Sequence, residues 1–382
     1  MRNFGKIEEN AYLWLEYSTT EIEIGMKDIL KRIVAGLYGV GLKIRHTLFD
    51  WNILRSVKFD IPIICVGNIT VGGTGKTPTV EMLVEYYSES YNVAVLSRGY
   101  GRVTKGYRVV SVDDHYRQVG DEPLQIKRKF PNVTVVVGEK RVDAVRRLRE
   151  EFPDVNMVIM DDGFQHRYIK PLVNIVIVDA NRPAYRDKLY PMGNLRDTTD
   201  SLHRANFFIV TKCPPYMKPV YMREYREYLV EKPSQEIFYS RMQIAPPCPI
   251  FADVEETVTP NSDAKVIAMS GIGDNSAFAE GLKQRYNVVT TLAFSDHHAY
   301  RRSDLALIQQ TIAAYPDAVI MTTEKDAVKL VNSKVIPDEV RRKLFYERIT
   351  LRFLAEGKYE LFARIDKEIK NMNNEQHIKG LG

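Results

Sequence analysis

The stretch Thr70-Val71-Gly72-Gly73-Thr74-Gly75-Lys76-Thr77 limits what this chain can fold into more than any other. Before it, Ile61-Pro62-Ile63-Ile64-Cys65-Val66-Gly67 is a short apolar run with β-branched residues and reads as a buried strand. After it, Pro78 and then Val80, Leu83, Val84 and Tyr87 fall at helical spacing, with proline where a first helical turn tolerates it. Strand, glycine-rich loop and helix together are the context a phosphate-binding loop requires. Glycines let successive backbone N–H groups turn toward an anion, the helix N-terminus adds partial positive charge, and Lys76 reaches the outer phosphates. Thr70 to Thr77 are therefore the candidate nucleotide-binding residues, with the Thr77 hydroxyl placed for Mg²⁺. The strict pattern has glycine where Thr70 stands.

A chain of 382 residues is too long for one typical core, so two domains are expected. Cys65, Cys213 and Cys248 show no C-x-x-C spacing, which argues against a disulfide framework or a zinc site and suits a reducing compartment. The formal net charge is only +5, and residues 27–58 alone, with seven basic side chains against Asp28 and Asp50, account for that excess.

Residues 1–25 are acidic, without a clear period, and are expected to form a poorly ordered extension; Met26 is a second candidate start. Within 26–60, Ile29, Leu30, Ile33, Val34, Leu37 and Tyr38 recur at helical spacing opposite Lys27, Lys31 and Arg32. The longest uncharged run, Ile33 to Leu42, has ten residues and three glycines. A bilayer span needs about 20. A basic amphipathic helix of this kind fits either a peripheral anchor on anionic lipid or a helix packed on the protein's own core.

Further strands are expected at 92–96, 133–137, 155–160, 174–178 and 207–210, which makes residues 61–233 a mostly parallel α/β domain of the P-loop NTPase type. Ser97-Arg98-Gly99-Tyr100-Gly101-Arg102 ends the second strand, with arginines that suit phosphate or a solvated turn. Asp121 and Glu122 open a helix, where carboxylates serve as caps, a base or Mg²⁺ ligands. Asp161-Asp162 ends an apolar strand downstream of Gly-Lys-Thr, where such a carboxylate holds Mg²⁺.

Residues 237–244 and 344–351 resemble each other and read as an antiparallel two-stranded linker within 234–251 and 341–354. It would join a smaller α/β domain (252–340), and 355–382 would form a C-terminal segment. The smaller domain carries Ser295-Asp296-His297-His298-Ala299-Tyr300 at a strand end. An acid–base or substrate-contact role fits there, as does a polar turn.

Three function classes compete: a kinase acting on a membrane-borne hydroxyl, a membrane-associated regulatory ATPase of the cell-division or partition type, and a GTPase. The second expects a lysine where Val71 stands. The third expects Asn-Lys-x-Asp, and the nearest match is Thr211-Lys212-Cys213-Pro214.

Taken in order, Val66-Gly67-Asn68, Thr70 to Pro78, Ser97 to Arg102, Gly120 to Pro123, Asp161 to His166, Leu195-Arg196, Ser270 to Gly273, Asp296-His297 and Thr323 to Asp326 resemble the tetraacyldisaccharide 4′-kinase family of lipid A biosynthesis. The resemblance runs from about residue 29 to about 351. It departs at Asp197, usually glutamate, and at Asp274-Asn275, commonly Asn-Pro; Thr70 is in line with it. It implies ATP- and Mg²⁺-dependent phosphorylation of an acylated glucosamine disaccharide on the cytoplasmic face of a bacterial inner membrane. It implies no nucleic acid and no obligatory protein partner. Lys76 and the loop amides would hold phosphates, and Thr77, Glu122 and Asp161-Asp162 would serve Mg²⁺. Asp121 with His297 would form the proton-accepting dyad. Arg196, Tyr100, Arg98 and Asp296 would position phosphate or acceptor.

Overall fold

The computed structural model describes residues 5–251, 254, 259–331 and 336–380, with side chains described from residue 27 to residue 378. Strands in chain order are β1 (Ile63–Gly67), β2 (Val93–Ser97), β3 (Arg108–Val109), β4 (Thr134–Val137), β5 (Met157–Asp161), β6 (Val173–Asp179), β7 (Phe207–Thr211) and β8 (Glu236–Ile244). They continue with β9 (Cys248–Pro249), β10 (Lys265–Ser270), β11 (Asn287–Ala293), β12 (Ala318–Thr323), β13 (Leu344–Glu347) and β14 (Ile349–Phe353). Helices are α1 (Gly5–Asp50), α2 (Lys76–Tyr87), α3 (Tyr116–Val119), α4 (Asp121–Lys129), α5 (Arg141–Glu151) and α6 (Pro219–Leu229). After them come α7 (Asn275–Lys283), α8 (Arg302–Ala314), α9 (Glu324–Leu330), α10 (Asp338–Arg341) and α11 (Gly357–Gly380).

The larger sheet has the order β14-β8-β7-β6-β1-β5-β2-β4-β3, parallel except for the pairs at its two edges. Its central strands are apolar along their whole length because helices cover both faces, as a parallel sheet demands. β1, β2 and β5 are buried at every position. The chain runs outward from β1 to both sides, so β1 sits where the strand order reverses. A crevice opens there beyond the strand C-termini, and Thr70 to Thr77 lie in it. The smaller sheet, β11-β10-β12-β13-β9, is parallel in its first four strands and has a core around Ile267, Ile308, Ile320 and Leu344.

The linker differs from expectation in its boundaries. β14 pairs antiparallel with β8, from Ile349 opposite Ile244 to Phe353 opposite Ser240. Leu344–Glu347, however, joins the smaller sheet beside β12, and the first half of β8 joins the larger sheet beside β7. Burial decides this: Leu344 and Phe345 are fully buried in the smaller core, whereas Ile349 is exposed.

Helix α1 covers the segment 5–25 as well, whose side chains lie outside the described residues; residues 1–4 lie outside them altogether. Its later part shows two faces. Ile29, Leu30, Ile33, Leu37, Val40 and Ile44 are exposed, while Phe49 is buried and Arg45 and His46 reach the loops that carry Gln165 and Asp197. Among the described residues no helix is long and apolar enough to cross a membrane.

Candidate active site

The phosphate loop is fixed from three sides. Asn68 donates to Thr74 Oγ1 at 2.8 Å, Thr211 Oγ1 on β7 donates to the Thr74 carbonyl at 2.7 Å, and Val71 N–H donates to the Asn194 carbonyl at 2.8 Å. Thr70 is buried, and its backbone bridges to Leu195. Gly75 enters α2 at φ 97°, a left-handed conformation that a residue with a Cβ rarely adopts. Lys76 and Thr77 begin the helix, half-buried.

Asp161 and Asp162 diverge. Asp161, at the end of β5, is almost fully buried; Oδ2 accepts from Ser97 at 3.0 Å and Oδ1 has no hydrogen-bond partner. Burial, reinforced by the charges of Glu122 and Asp162, pushes its pKa up to about 7. Asp162 adopts φ 49°, turns outward, and forms a bidentate pair with Arg196; Lys76 Nζ lies 3.8 Å from Oδ1. Burial opposes its ionisation, but Arg196 and Lys76 outweigh burial and hold its pKa at about 2. Arg196 also donates to Asn68.

The second half of the site comes from the smaller sheet. His297, at φ 56° beyond β11, places Nδ1 2.9 Å from Asp121 Oδ2, and its Nε2 lies 3.1 Å from Lys325 Nζ. An ammonium can only donate, so Nε2 accepts and Nδ1–H donates to Asp121. Lys325 also lies 3.8 Å from Asp121, 3.9 Å from Glu122 and 3.5 Å from Asp296, and buried Lys329 lies 3.9 Å from Asp121. Burial raises the Asp121 pKa, but His297 and the two lysines more than offset it and keep the carboxyl below its ordinary value. Burial, with Asp121 and Asp162, raises that of Glu122 despite Lys325.

The expected residues thus divide into groups. Lys76, Asp161, Asp162 and Arg196 meet at the loop; Asp121, Glu122, His297 and Asp296 meet around Lys325. Exposed Tyr100 places its ring 5.3 Å from that of His297. Arg98 is exposed, and burial, followed by the charges of Arg141, Arg45 and Arg98, lowers the His166 pKa to about 4. Lys325, Lys329, Ser97 and Asn68 carried no role in the sequence reading, although a lysine pair four apart opening a helix after a parallel strand was a visible signal for the first two.

Both departures from the family pattern are accommodated. Asp197, fully buried, accepts from His46 at 2.6 Å and Arg204 at 3.3 Å. Asp274 caps α7 through Ala277 N–H at 3.0 Å, and Asn275 bonds Ser270 and the Phe294 carbonyl.

Mg²⁺ fits this donor set in one respect. Among the described residues no group of three or more His, Cys, Asp or Glu forms a ready-made metal cage, so Thr77, Glu122, Asp161 and Asp162 are not a closed ligand set. Mg²⁺ bound with substrate phosphates needs only one or two protein oxygens. The orphaned Asp161 Oδ1 is such an oxygen, whereas both oxygens of Asp162 already hold Arg196.

A phosphate loop at the reversal point of a parallel sheet, with a carboxylate of the same domain held by a histidine from the second, defines an ATP-dependent phosphotransferase. The comparisons agree and narrow it. A family model described as tetraacyldisaccharide-1-P 4′-kinase matches residues 28–370. The tetraacyldisaccharide 4′-kinase of Parabacteroides distasonis is 37% identical over 348 residues, covering 88% of this chain and 94% of that protein. The one from Flavobacterium johnsoniae is 35% identical, covering 81% and 90%. The crystal structure of LpxK from Aquifex aeolicus in complex with ATP superimposes with a TM-score of 0.65 at 28% identity, covering 87% of this chain and 97% of that one. The chain belongs to the tetraacyldisaccharide-1-phosphate 4′-kinase family, and it is a kinase.

Proposed function

We propose that this kinase transfers the γ-phosphoryl group of ATP to the 4′-hydroxyl of tetraacyldisaccharide 1-phosphate while resting on the cytoplasmic face of a bacterial inner membrane. The observation that carries the reading is the meeting of the two halves: Asp121 beside the phosphate loop is hydrogen-bonded to His297 from the smaller sheet. Loop amides and Lys76 would hold the phosphates, and Asp161, with Thr77 and Glu122, would hold Mg²⁺, which when bound would neutralise phosphate charge. Asp162 orients Arg196 and Lys76. Asp121, steadied by His297, accepts the hydroxyl proton; phosphoryl transfer asks mainly for positioning and neutralised charge, so a weak base suffices. Tyr100 and Asp296 line the acceptor side, and exposed Arg98 suits a phosphate of the acceptor. The exposed apolar side of α1, with its basic residues, suits anionic lipid, where such an acceptor keeps its acyl chains. The larger and smaller sheets act as two lobes, joined where residues 240–244 of β8 pair with β14.

The test is incubation of purified protein with labelled ATP and vesicles containing the disaccharide. Label is expected in the lipid, in proportion to acceptor. Acceptor-independent ATP hydrolysis without labelled lipid would favour the regulatory-ATPase reading instead.

A further inference from the structure

Arg182 is a cation beside the phosphate loop to which no role has been given above. It follows β6, whose last residue Asp179 is buried. The Asp179 carboxylate accepts from Lys212 Nζ at 2.7 Å, from the Asn181 N–H at 3.0 Å, and from Arg182 Nη2 at 3.5 Å. Lys212 is therefore its principal partner, and the arginine contact is long. The Arg182 backbone is pinned, its N–H donating to the Asp179 carbonyl at 3.0 Å. Its side chain is 45% exposed, and among the described residues Asp179 is the guanidinium's one hydrogen-bond partner. Most of its five donors remain unspent.

The guanidinium lies against the outer turn of the phosphate loop. Gly72, at φ +95°, is the residue it covers: a Cβ there would stand 3.1 Å from Nη2 and 3.4 Å from Nη1. The charges of Lys212 and Arg182 also act on Asp274, the cap of α7 in the smaller domain.

We propose that Arg182 is an arginine finger supplied in cis: on ATP binding it turns from Asp179 to the terminal phosphate and neutralises the charge that develops during transfer. This deepens the phosphoryl-transfer reading of the same site. In that step the bond between the γ-phosphorus and the β,γ-bridging oxygen breaks, and its electron pair stays on ADP. The bond to the 4′-oxygen forms, and the hydroxyl proton passes to Asp121. Arg182 exchanges no atom; its planar fork matches phosphate oxygens. Two features make the movement feasible. Asp179 keeps Lys212 when the arginine leaves, so no buried carboxylate is stranded. Glycine at 72 leaves the guanidinium its path.

The experiment compares wild type, Arg182→Ala and Arg182→Lys in steady-state kinetics, ATP binding, and trapping of ADP by Mg²⁺ and fluoroaluminate, which mimics the transferring group. For Arg182→Ala, kcat is expected to fall on the order of 10³-fold, with ATP affinity nearly unchanged and fluoroaluminate trapping lost. Added guanidine should restore part of the rate. Arg182→Lys should bind ATP normally yet stay slow, because an ammonium lacks the fork. Retention of kcat and trapping in Arg182→Ala would overturn the proposal. So would parallel loss of ATP affinity and Tm, which marks a brace for Asp179. Should the alanine variant fail to fold, wild-type turnover in Arg182→Lys would overturn it by itself. Failure of wild type to label the lipid would sink the acceptor reading, a result distinct from any of these.

Discussion

Asp161 and Asp162 are neighbours in sequence with opposite electrostatic fates, because one points into β5's buried end and the other is turned out by a left-handed backbone. Asp162 and His297 both hold φ near 50°, a conformation that costs non-glycine residues about 1 kcal/mol or more and persists where surrounding contacts over-determine it. At this scale the Asp121–His297 pair is the decisive contact. Alanine at either position should lower kcat by about 10²–10⁴ with modest change in the KM for ATP. The double variant should be little worse than the worse single one, since groups acting as a unit are non-additive. Multiplicative losses in that cycle would separate the two residues. Both partners stood out in the sequence, Asp121 at the head of a helix and His297 at a strand end, but their pairing came only from the family resemblance. Arg182 did not, and Lys325 and Lys329 showed only as a lysine pair opening a helix: what they do depends on contacts set by the tertiary fold, and no local spacing announces that these lysines will face Asp121 across two domains.

Among the elements, α2 with its loop was legible almost to the residue, since proline, glycine and apolar spacing all act locally. The linker was legible in kind and not in extent. Residues 344–347 and 349–353 are both short amphipathic strands, and only the position of the smaller core assigns the first to one sheet and the second to the other. Helix α1 was legible as amphipathic, yet spacing alone did not divide its length between lipid and protein. Tyr38 donates to the Arg196 carbonyl at 2.8 Å and Arg167 pairs with Asp50 at 2.6 Å, so its later turns help hold the loops that carry Arg196 and Arg167. Ile29, Leu30, Ile33, Leu37, Val40 and Ile44, by contrast, are exposed to solvent. Changing Lys27, Lys31 and Arg32 to Glu should therefore release the protein from anionic vesicles, each basic group contributing about 1 kcal/mol near such a surface. ATP binding should persist. Undiminished sedimentation with vesicles after the charge reversal would reassign the exposed face.

For the molecule as a whole, the junction of the two sheets carries a second buried charge group, away from the Asp121–His297 pair. Glu81 on α2 accepts from Gln125 at 2.8 Å and from Lys129 Nζ at 2.6 Å, both on α4, and the same lysine lies 3.9 Å from Glu324 at the start of α9. Arg128 of α4 ties the junction further by donating to the Val328 carbonyl at 2.7 Å. One lysine thus serves two carboxylates. Burial and then the charge of Glu81 push the Glu324 pKa up to about 7, against the opposing charges of Lys129 and Arg348. A carboxyl that keeps its proton longer in the folded molecule than in the unfolded chain stabilises the fold fully below its unfolded value near 4.5, and that contribution is lost as pH rises through about 7. The loss is at most about 3 kcal/mol. Thermal unfolding of the nucleotide-free protein should accordingly show a Tm that falls between about pH 5 and pH 8. Glu324→Gln, which keeps the shape and removes the charge, should flatten that fall and raise Tm at the alkaline end. If the two proteins instead give parallel profiles, the pH dependence lies elsewhere and the junction is not where these two sheets are set against each other electrostatically.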